Sequence, residues 1–100
     1  MTKRKPATVG EILVEEFMTP MDLTQAALAE AMGVQRKHVN ELCNDRRNVT
    51  AATALILSRV FRNSPEFWLN VQRRSELWEA MHSPSQRKRI DRAKPLKKTA

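Results

Sequence analysis

The sequence predicts an all-α protein, a five-helix bundle, from three observations. Apolar residues recur at the spacing of helical turns in five segments of the chain. Several of these segments start at residues that commonly cap helices, and the first two stop at proline or glycine. The alternation of apolar and polar residues that is typical of strands is almost absent. Since one hundred residues suffice for one small hydrophobic core, we expect a single small domain.

The first two predicted helices have clear boundaries. The first begins at Thr8, which together with Glu11 has the spacing of a capping box, and it stops at Pro20. The second covers the alanine-rich segment TQAALAEAM, with Thr24 as its cap. It ends at Gly33, because glycine adopts a positive φ at little cost.

Three further helices follow along the chain. The third runs over about residues 35–44. Thr50 caps the fourth, AATALILSRVFR, which is apolar on most sides and is therefore expected at the centre of the bundle. The motif SPE at Ser64 supplies a cap, a proline in the first turn and a carboxylate near the helix start, so it begins the fifth helix.

The net charge of +7 lies mainly in the two ends of the chain. Residues 1–7 form a basic N-terminal arm, and residues 83–100 contain seven basic side chains against Asp91 alone. The domain proper is expected over residues 8–82. Because residues 83–100 include few apolar side chains, we expect a disordered tail. Basic ends of this kind are either simply solvated or contact a polyanion such as nucleic acid.

Composition argues against several classes of protein. The chain has no run of 18 apolar residues and no signal-peptide pattern, so we expect a cytoplasmic protein without membrane contact. A single cysteine, Cys43, gives no disulfide framework, and it fits an apolar helix stripe as a small buried residue. His38 and His82 are far apart and lack cysteine neighbours, so no metal site and no cofactor is expected.

The second and third helices, joined by a short glycine turn, have the helix-turn-helix arrangement. The small Ala29 permits close approach, and the angle between the helices is filled by Leu28, Met32, Val39, Leu42 and Cys43. The opposite face of the third helix is polar and fits the major groove of DNA, where arginine and lysine bind guanine and asparagine binds adenine. It consists of Arg36, Lys37, Asn40, Glu41 and Asn44. Alternatively, this is a surface helix that is merely basic.

The segments LTQAALAEAMGV and VNELCN resemble the DNA-binding core of the Xre/Cro-like phage repressors, which implies a lambda-repressor-like domain. The resemblance implies phosphate contacts from Gln25 and Asn44 and base contacts from the exposed face of the third helix. With the neighbouring basic loop, the expected DNA-binding residues are Gln25, Gln35, Arg36, Lys37, Asn40, Glu41, Asn44, Arg46 and Arg47. These repressors commonly place glycine after the asparagine, whereas this chain has Asp45, so we expect a loop of different shape.

A narrower resemblance covers residues 9–81. The segments VGEILVEEFM, RRNVTAATALILSRVF and SPEFWLNVQRRSELWEA are similar to the HigA antitoxins. The resemblance implies a homodimer that represses its own operon and sequesters a HigB-type toxin, an RNA-cleaving enzyme of the RelE-like class. The proline-rich tails that wrap toxins in other antitoxin families are absent from this sequence, which leaves the toxin-binding surface open.

The predicted partners have candidate surfaces. The fifth helix, residues 64–82, is expected to form the dimer contact through Phe67, Trp68, Val71, Leu77 and Trp78, unless the tryptophans cover the core of their own chain. Two-fold symmetry then implies a palindromic operator. We expect the toxin against the acidic side of the first helix, because acidic side chains complement a basic nuclease. That surface comprises Glu11, Glu15 and Glu16.

Other classes of function are weaker readings of the sequence. An enzyme needs a catalytic constellation, and the acidic side chains lie on polar helix faces where solvation explains them, so we predict no enzyme. A phage-type repressor without a toxin partner is the main alternative, and an RNA-binding or ribosome-associated protein is the third. A neighbouring gene for a RelE-like protein distinguishes an antitoxin from a phage-type repressor. A preference for duplex DNA over structured RNA distinguishes both of these from an RNA-binding protein.

Overall fold

A computed structural model of the protein describes residues 4–97, and within them it contains six helices and no strand. The all-α prediction is confirmed, but the predicted number of helices is one too low. The helices are α1 (Val9–Ile12, continuing directly as a π-helical segment, Leu13–Met18), α2 (Gln25–Met32), α3 (Arg36–Cys43), α4 (Ala51–Phe61), α5 (Pro65–His82) and α6 (Pro84–Arg92).

The predicted helix caps are present. Thr8, Thr24, Thr50 and Ser64 each accept, through the side-chain oxygen, a backbone N–H from the first turn of the following helix. Gly33 ends α2 with a φ of 70°, in the left-handed region that glycine adopts without steric cost. Short polar and glycine residues therefore set these boundaries, as the sequence predicts.

The hydrophobic core lies between α1, α2, α3, α4 and the first half of α5. Its largest fully buried side chains are Trp68, Leu13, Leu28, Leu42, Leu57 and Val39. The fourth helix, predicted at the centre of the bundle, buries Ala54 and Leu57 but leaves Leu55 59% exposed. The core therefore covers one face of α4 only.

The π-helical segment Leu13–Met18 has no counterpart in the sequence prediction. Its i→i+5 geometry is seen where the N–H of Thr19 donates to the carbonyl of Val14 at 2.8 Å. Residues five apart then lie on similar sides of the helix, which allows Leu13 and Met18 both to be buried. The wider turn also places the ring of Phe17 against three other aromatic rings, Phe61 at 4.7 Å, Trp68 at 5.1 Å and Phe67 at 6.0 Å between centroids.

The basic C-terminal segment is helical over Pro84–Arg92, so the prediction of disorder is wrong for this part of residues 83–100. Pro84 occupies the first turn of α6, where its fixed φ favours a helix, and good helix formers follow. Arg87 and Asp91 add an i, i+4 ion pair at 3.1 Å. No side chain of α6 is buried, so the shortage of apolar residues prevented packing but not helix formation.

The described part of the molecule is elongated. It measures 57 × 29 × 22 Å, with a Cα radius of gyration of 17.0 Å against about 13 Å for a compact domain of this length. The exposed α6 accounts for part of this extension. None of the helices within residues 4–97 has the length and apolarity needed to cross a membrane. The first and last three residues, which include parts of the predicted basic arm and tail, lie outside the described residues.

Candidate nucleic-acid interface

The α2–turn–α3 unit is assembled as the sequence predicts. The turn is closed by the N–H of Gly33, which donates to Glu30 O at 3.2 Å, and by the N–H of Val34, which donates to Ala29 O at 3.0 Å. The inner faces of the two helices are buried through Leu28, Ala29, Met32, Val39 and Leu42. Cys43 is only partly buried, and this burial raises the pKa of its thiol.

The outer face of α3 is a polar surface. Arg36, Lys37, Asn40 and Asn44 are exposed, while Glu41 is half-buried. Gln35 precedes α3 as its N-cap residue, without a side-chain hydrogen bond to the helix. The structure therefore brings most of the predicted DNA-binding side chains of α3 together on one accessible side of the helix.

A chain of amide groups connects α2 to the end of α3. The Nδ2 of Asn40 donates to Gln25 Oε1 at 3.2 Å, and the Nδ2 of Asn44 donates to the carbonyl of Asn40 at 2.8 Å. Gln25 and Asn44, the two predicted phosphate ligands, thus lie on either side of Asn40. These bonds are present without any ligand, so the two amides already lie near each other on the surface.

The basic loop after α3 folds back on the helix. The Nε and Nη2 atoms of Arg47 each lie 3.0 Å from Glu41 Oε1, and the N–H of Arg46 donates to the Glu41 carbonyl at 2.8 Å. A glutamate in the major groove can accept from the amino group of cytosine, but the Glu41 carboxylate is engaged with Arg47 in this structure. Because the Arg47 side chain is about half exposed, the pair is screened and contributes little to stability.

His38 lies within α3 but adds no positive charge at neutral pH. Burial, together with the nearby Arg47 guanidinium, lowers the pKa of the imidazole, and Glu41 opposes this only partly. Within residues 4–97, its buried Nε2 has no hydrogen-bond partner. The positive charge near the start of α3 therefore comes from Arg36 and Lys37.

Two polar contacts that position this surface were not predicted. Asp45, directly after α3, bonds to the backbone of Gly10 and to the hydroxyl of Thr8 in the first turn of α1. Gln72 of α5 binds both backbone groups of Val49, accepting its N–H at 2.5 Å and donating to its carbonyl at 2.9 Å. For the Asp45 contact, the only signal in the sequence was the aspartate in place of the glycine that related repressors commonly have. It predicted a loop of different shape but did not indicate Thr8 and Gly10 as the partners.

The predicted dimer contact needs correction. Trp68 is 0% exposed and Val71 is 7% exposed, so both belong to the core of their own chain and offer no surface to a partner. Phe67 and Leu77 are exposed by 38% and 51%. Trp78 is half-buried and stacks on His82 at 3.8 Å between ring centroids. Three of the five predicted residues therefore remain candidates, namely Phe67, Leu77 and Trp78.

The predicted toxin contact is an exposed acidic strip. Glu15 and Glu16 project from the π-helical segment, and both are exposed. Glu11 is exposed as well, but its carboxylate accepts the Thr8 N–H at 3.2 Å and so completes the capping box of α1. Glu11 thus has a structural role, while Glu15 and Glu16 lie on accessible turns.

The fold and the exposed polar helix define a helix-turn-helix protein, and comparison with known proteins agrees, because residues 14–68 match the family described as Helix-turn-helix. Antitoxin HigA-1 of Vibrio cholerae serotype O1 is 50% identical over 78 residues, covering 78% of this chain and 73% of that protein. This chain therefore belongs to the helix-turn-helix family and, within it, to the HigA antitoxins.

Solved structures agree with this assignment. Antitoxin GraA has a TM-score of 0.85 and 39% identity, with 93% of this chain and 99% of that chain covered. Pseudomonas aeruginosa antitoxin HigA, solved with the higBA promoter, has a TM-score of 0.81 and 36% identity, with 91% and 98% covered. Since these relatives are antitoxins and others are transcriptional regulators, the family is one of regulators and not of enzymes.

Proposed function

We propose that this protein is a sequence-specific DNA-binding antitoxin, which represses its own operon and neutralises a HigB-like RNA-cleaving toxin. The observation that carries the proposal is the accessible polar face of α3 on a helix-turn-helix unit. Relatives named as antitoxins, one of them solved with promoter DNA, support it. The proposal includes a cytoplasmic location, where a repressor would meet its operator and the toxin would meet RNA.

The DNA-binding part assigns roles to most of the predicted DNA-binding side chains. A helix of the size of α3 fits the major groove, which is about 12 Å wide. Arg36 and Lys37 donate to guanine acceptors, and Asn40 pairs with adenine. The phosphates are held by side chains that flank α3, namely Gln25, Asn44, Arg46 and Arg47. Footprinting on the DNA upstream of the gene tests this role, and protection no different from that of unrelated DNA contradicts it.

The proposal includes a homodimer. Leu77 is half exposed on α5, and Ile90 of the adjoining α6 is 43% exposed, so this end of the molecule presents apolar area to a second copy. Phe67 and Trp78 belong to the same proposed interface. In a two-fold dimer the two α3 helices lie about 34 Å apart, which matches half-sites one turn of duplex apart.

Sedimentation of two matched variants tests the dimer. Leu77→Glu introduces a charge at the proposed interface and should give a folded monomer. Leu55→Glu introduces the same charge on α4, where Leu55 is 59% exposed against 51% for Leu77, and should leave the dimer intact. A folded dimer for Leu77→Glu, or dissociation by both variants, contradicts the proposed interface.

The toxin is proposed to bind the acidic strip of α1 and the π-helical segment. Placing it at Glu11, Glu15 and Glu16 leaves the face of α3 free for DNA, and acidic side chains attract a basic nuclease. Glu15→Lys with Glu16→Lys should weaken toxin binding and spare operator binding. Asp22→Lys with Glu30→Lys makes the same change of charge at two exposed acids outside the acidic strip and outside the proposed dimer interface, and serves as the control.

Three results are decisive for the toxin. Selective loss of toxin binding in the Glu15 and Glu16 variant supports the acidic strip. An equal effect of both double variants places the toxin elsewhere. If the protein binds its operator but the product of the neighbouring gene is not a toxin that it binds, the chain is instead a repressor of the phage type.

A further inference from the structure

The carboxylate of Asp45 connects the loop after α3 to the first turn of α1. Its Oδ1 accepts the backbone N–H of Gly10 at 2.8 Å, and its Oδ2 accepts the hydroxyl of Thr8 at 2.6 Å. Both oxygens are thus used by one helix, while the backbone of Asp45 belongs to the end of another. Hydrogen bonds to a carboxylate are stronger than those between neutral groups.

The two helix ends are in close contact at this point. A Cβ placed on Gly10 lies 2.5 Å from the carbonyl oxygen of Cys43, so the backbones touch where Asp45 bridges them. Asp45 also has a φ of 56°, in the left-handed region that is unfavourable for most residues with a side chain. Backbone bonds from the N–H groups of Asp45 and Arg46 close the end of α3 in this conformation, and the carboxylate of Asp45 joins it to α1.

The loop that Asp45 anchors carries the proposed phosphate ligands. Asn44 precedes it and Arg46 and Arg47 follow it, and all three side chains are exposed. Asn44 is bonded to the Asn40 carbonyl and Arg47 is paired with Glu41, but packing holds none of the three side chains, so their positions also depend on the backbone of the loop. Asp45 is the residue that ties this part of the backbone to α1.

Electrostatics alone argues against an acidic residue here. A carboxylate between an asparagine and two arginines repels the phosphates that these side chains are proposed to bind. If Asp45 were only a surface acid, removing its charge would tighten DNA binding. If it positions the loop, removing it weakens DNA binding in spite of the favourable change in charge. The two explanations therefore predict changes of opposite sign in DNA affinity when the carboxylate is removed.

We propose that Asp45 is a positioning residue for DNA binding, which holds Asn44, Arg46 and Arg47 against the phosphates by bonding their loop to α1. The proposal rests on the proposed DNA-binding function. It adds a residue that does not touch DNA itself and that comes from outside the face of α3. It also assigns Thr8 and Gly10 a share in the same bridge, as its donors.

The test compares Asp45→Gly with Asp22→Gly. Glycine adopts the left-handed φ readily, so Asp45→Gly removes the carboxylate without straining the loop. Asp22 is also an exposed aspartate with a left-handed φ, 52°, and Asp22→Gly therefore makes the same change of charge and of backbone freedom elsewhere. Asp45→Asn keeps one oxygen for the N–H of Gly10 and serves as the rescue variant. Operator affinity is measured by fluorescence anisotropy over a range of salt concentrations, well below the melting temperature of each variant.

Asp45→Gly should bind the operator about tenfold more weakly, as expected if the displaced loop loses about one hydrogen bond to a charged phosphate. The dependence of log K on log salt should become shallower by about 0.9 for each phosphate that the protein no longer binds. Asp45→Asn should stay within about threefold of the wild type, in keeping with one retained acceptor. Asp22→Gly should bind as tightly as the wild type or more tightly.

Several results overturn the proposal. Unchanged or tighter binding by Asp45→Gly shows that Asp45 is only a surface acid. Weaker binding with an unchanged salt dependence shows that the phosphate ligands were not displaced. An equal loss in Asp22→Gly shows that backbone freedom in general is responsible. A wild-type protein that does not bind its operator refutes the DNA-binding function itself, which is a separate outcome.

Discussion

Replacing Gly10 by alanine tests the contact between α1 and α3. The new Cβ would lie 2.5 Å from the carbonyl oxygen of Cys43 and 2.9 Å from Asp45 Oδ1. The first obstacle is backbone, so α1 has to move away from α3, and overpacking of this kind costs about 1–3 kcal/mol. We take the upper part of this range because a backbone carbonyl does not give way as a flexible side chain does.

Helix propensity acts in the opposite direction. Alanine is favoured over glycine within a helix by about 1 kcal/mol. Gly10→Ala should therefore destabilise the protein by about 1–2 kcal/mol in total, which lowers the melting temperature of a domain of this size by about 5–15 °C. Helix propensity alone predicts a rise of similar size in the melting temperature. The sign of the change therefore shows whether the close contact or the propensity dominates.

The assay is thermal unfolding followed by circular dichroism at one protein concentration. Ala27→Gly on the exposed side of α2 calibrates the propensity contribution in this protein and should lower the melting temperature by about 4–8 °C. A melting temperature for Gly10→Ala at or above that of the wild type would refute the close approach of α1 and α3.

Three other predictions concern α3. Arg36→Ala should weaken the binding free energy on the operator by about 1–3 kcal/mol per half-site and relax the preference at one base pair, as measured by anisotropy on operator variants. Equal losses of affinity on operator and random duplex contradict base reading. Glu41→Gln should release Arg47 and steepen the dependence of log K on log salt by about 0.9 for each phosphate that Arg47 then contacts, whereas an unchanged dependence shows that the pairing does not restrain it. Because the pKa of His38 in the folded protein lies below its ordinary value of 6.5, the unfolded chain binds a proton more readily, and stability should fall as the pH is lowered through about 6.5. In denaturant unfolding, His38→Gln should lose less stability than the wild type between about pH 7 and pH 5. An equal loss of stability in the two proteins assigns the effect to other groups.

Local signals in the sequence predicted much of the fold. Capping residues such as Thr8, Thr24 and Ser64 satisfy backbone N–H groups of the next few residues, so neighbouring residues suffice to locate them. The inner face of the helix-turn-helix follows from helical spacing and from the small Ala29. The polar face of α3 was located by the same spacing, because the residues that face away from the core share one side.

Contacts between distant segments were not predicted. The bond from Asp45 to Gly10 joins residues 35 positions apart, and the bonds from Gln72 to Val49 join residues 23 apart. Either side chain looks like an ordinary polar surface residue in the sequence. The π-helical segment also depends on tertiary packing, since it positions Phe17 against rings from α4 and α5.

Two predictions were wrong because apolar content alone does not decide where a segment packs. Trp68 was predicted at an interface because a large apolar side chain can cover either the core of its own chain or that of a partner. The indole instead fills the core, and its Nε1 donates to Asn63 Oδ1 at 3.0 Å. The helix α6 was not predicted because a low apolar content argues against packing, whereas helix formation follows from capping, proline position and propensity.

The central claim is that one molecule binds DNA through α3 while it binds the toxin through a different surface. The most direct measurement is the mass, by native mass spectrometry, of the species formed from the protein, its operator duplex and the toxin of the neighbouring gene. The proposed surfaces predict a complex that contains all three, with operator affinity retained in the presence of the toxin. Toxin that displaces the protein from the operator would contradict the claim and place toxin and DNA on the same face.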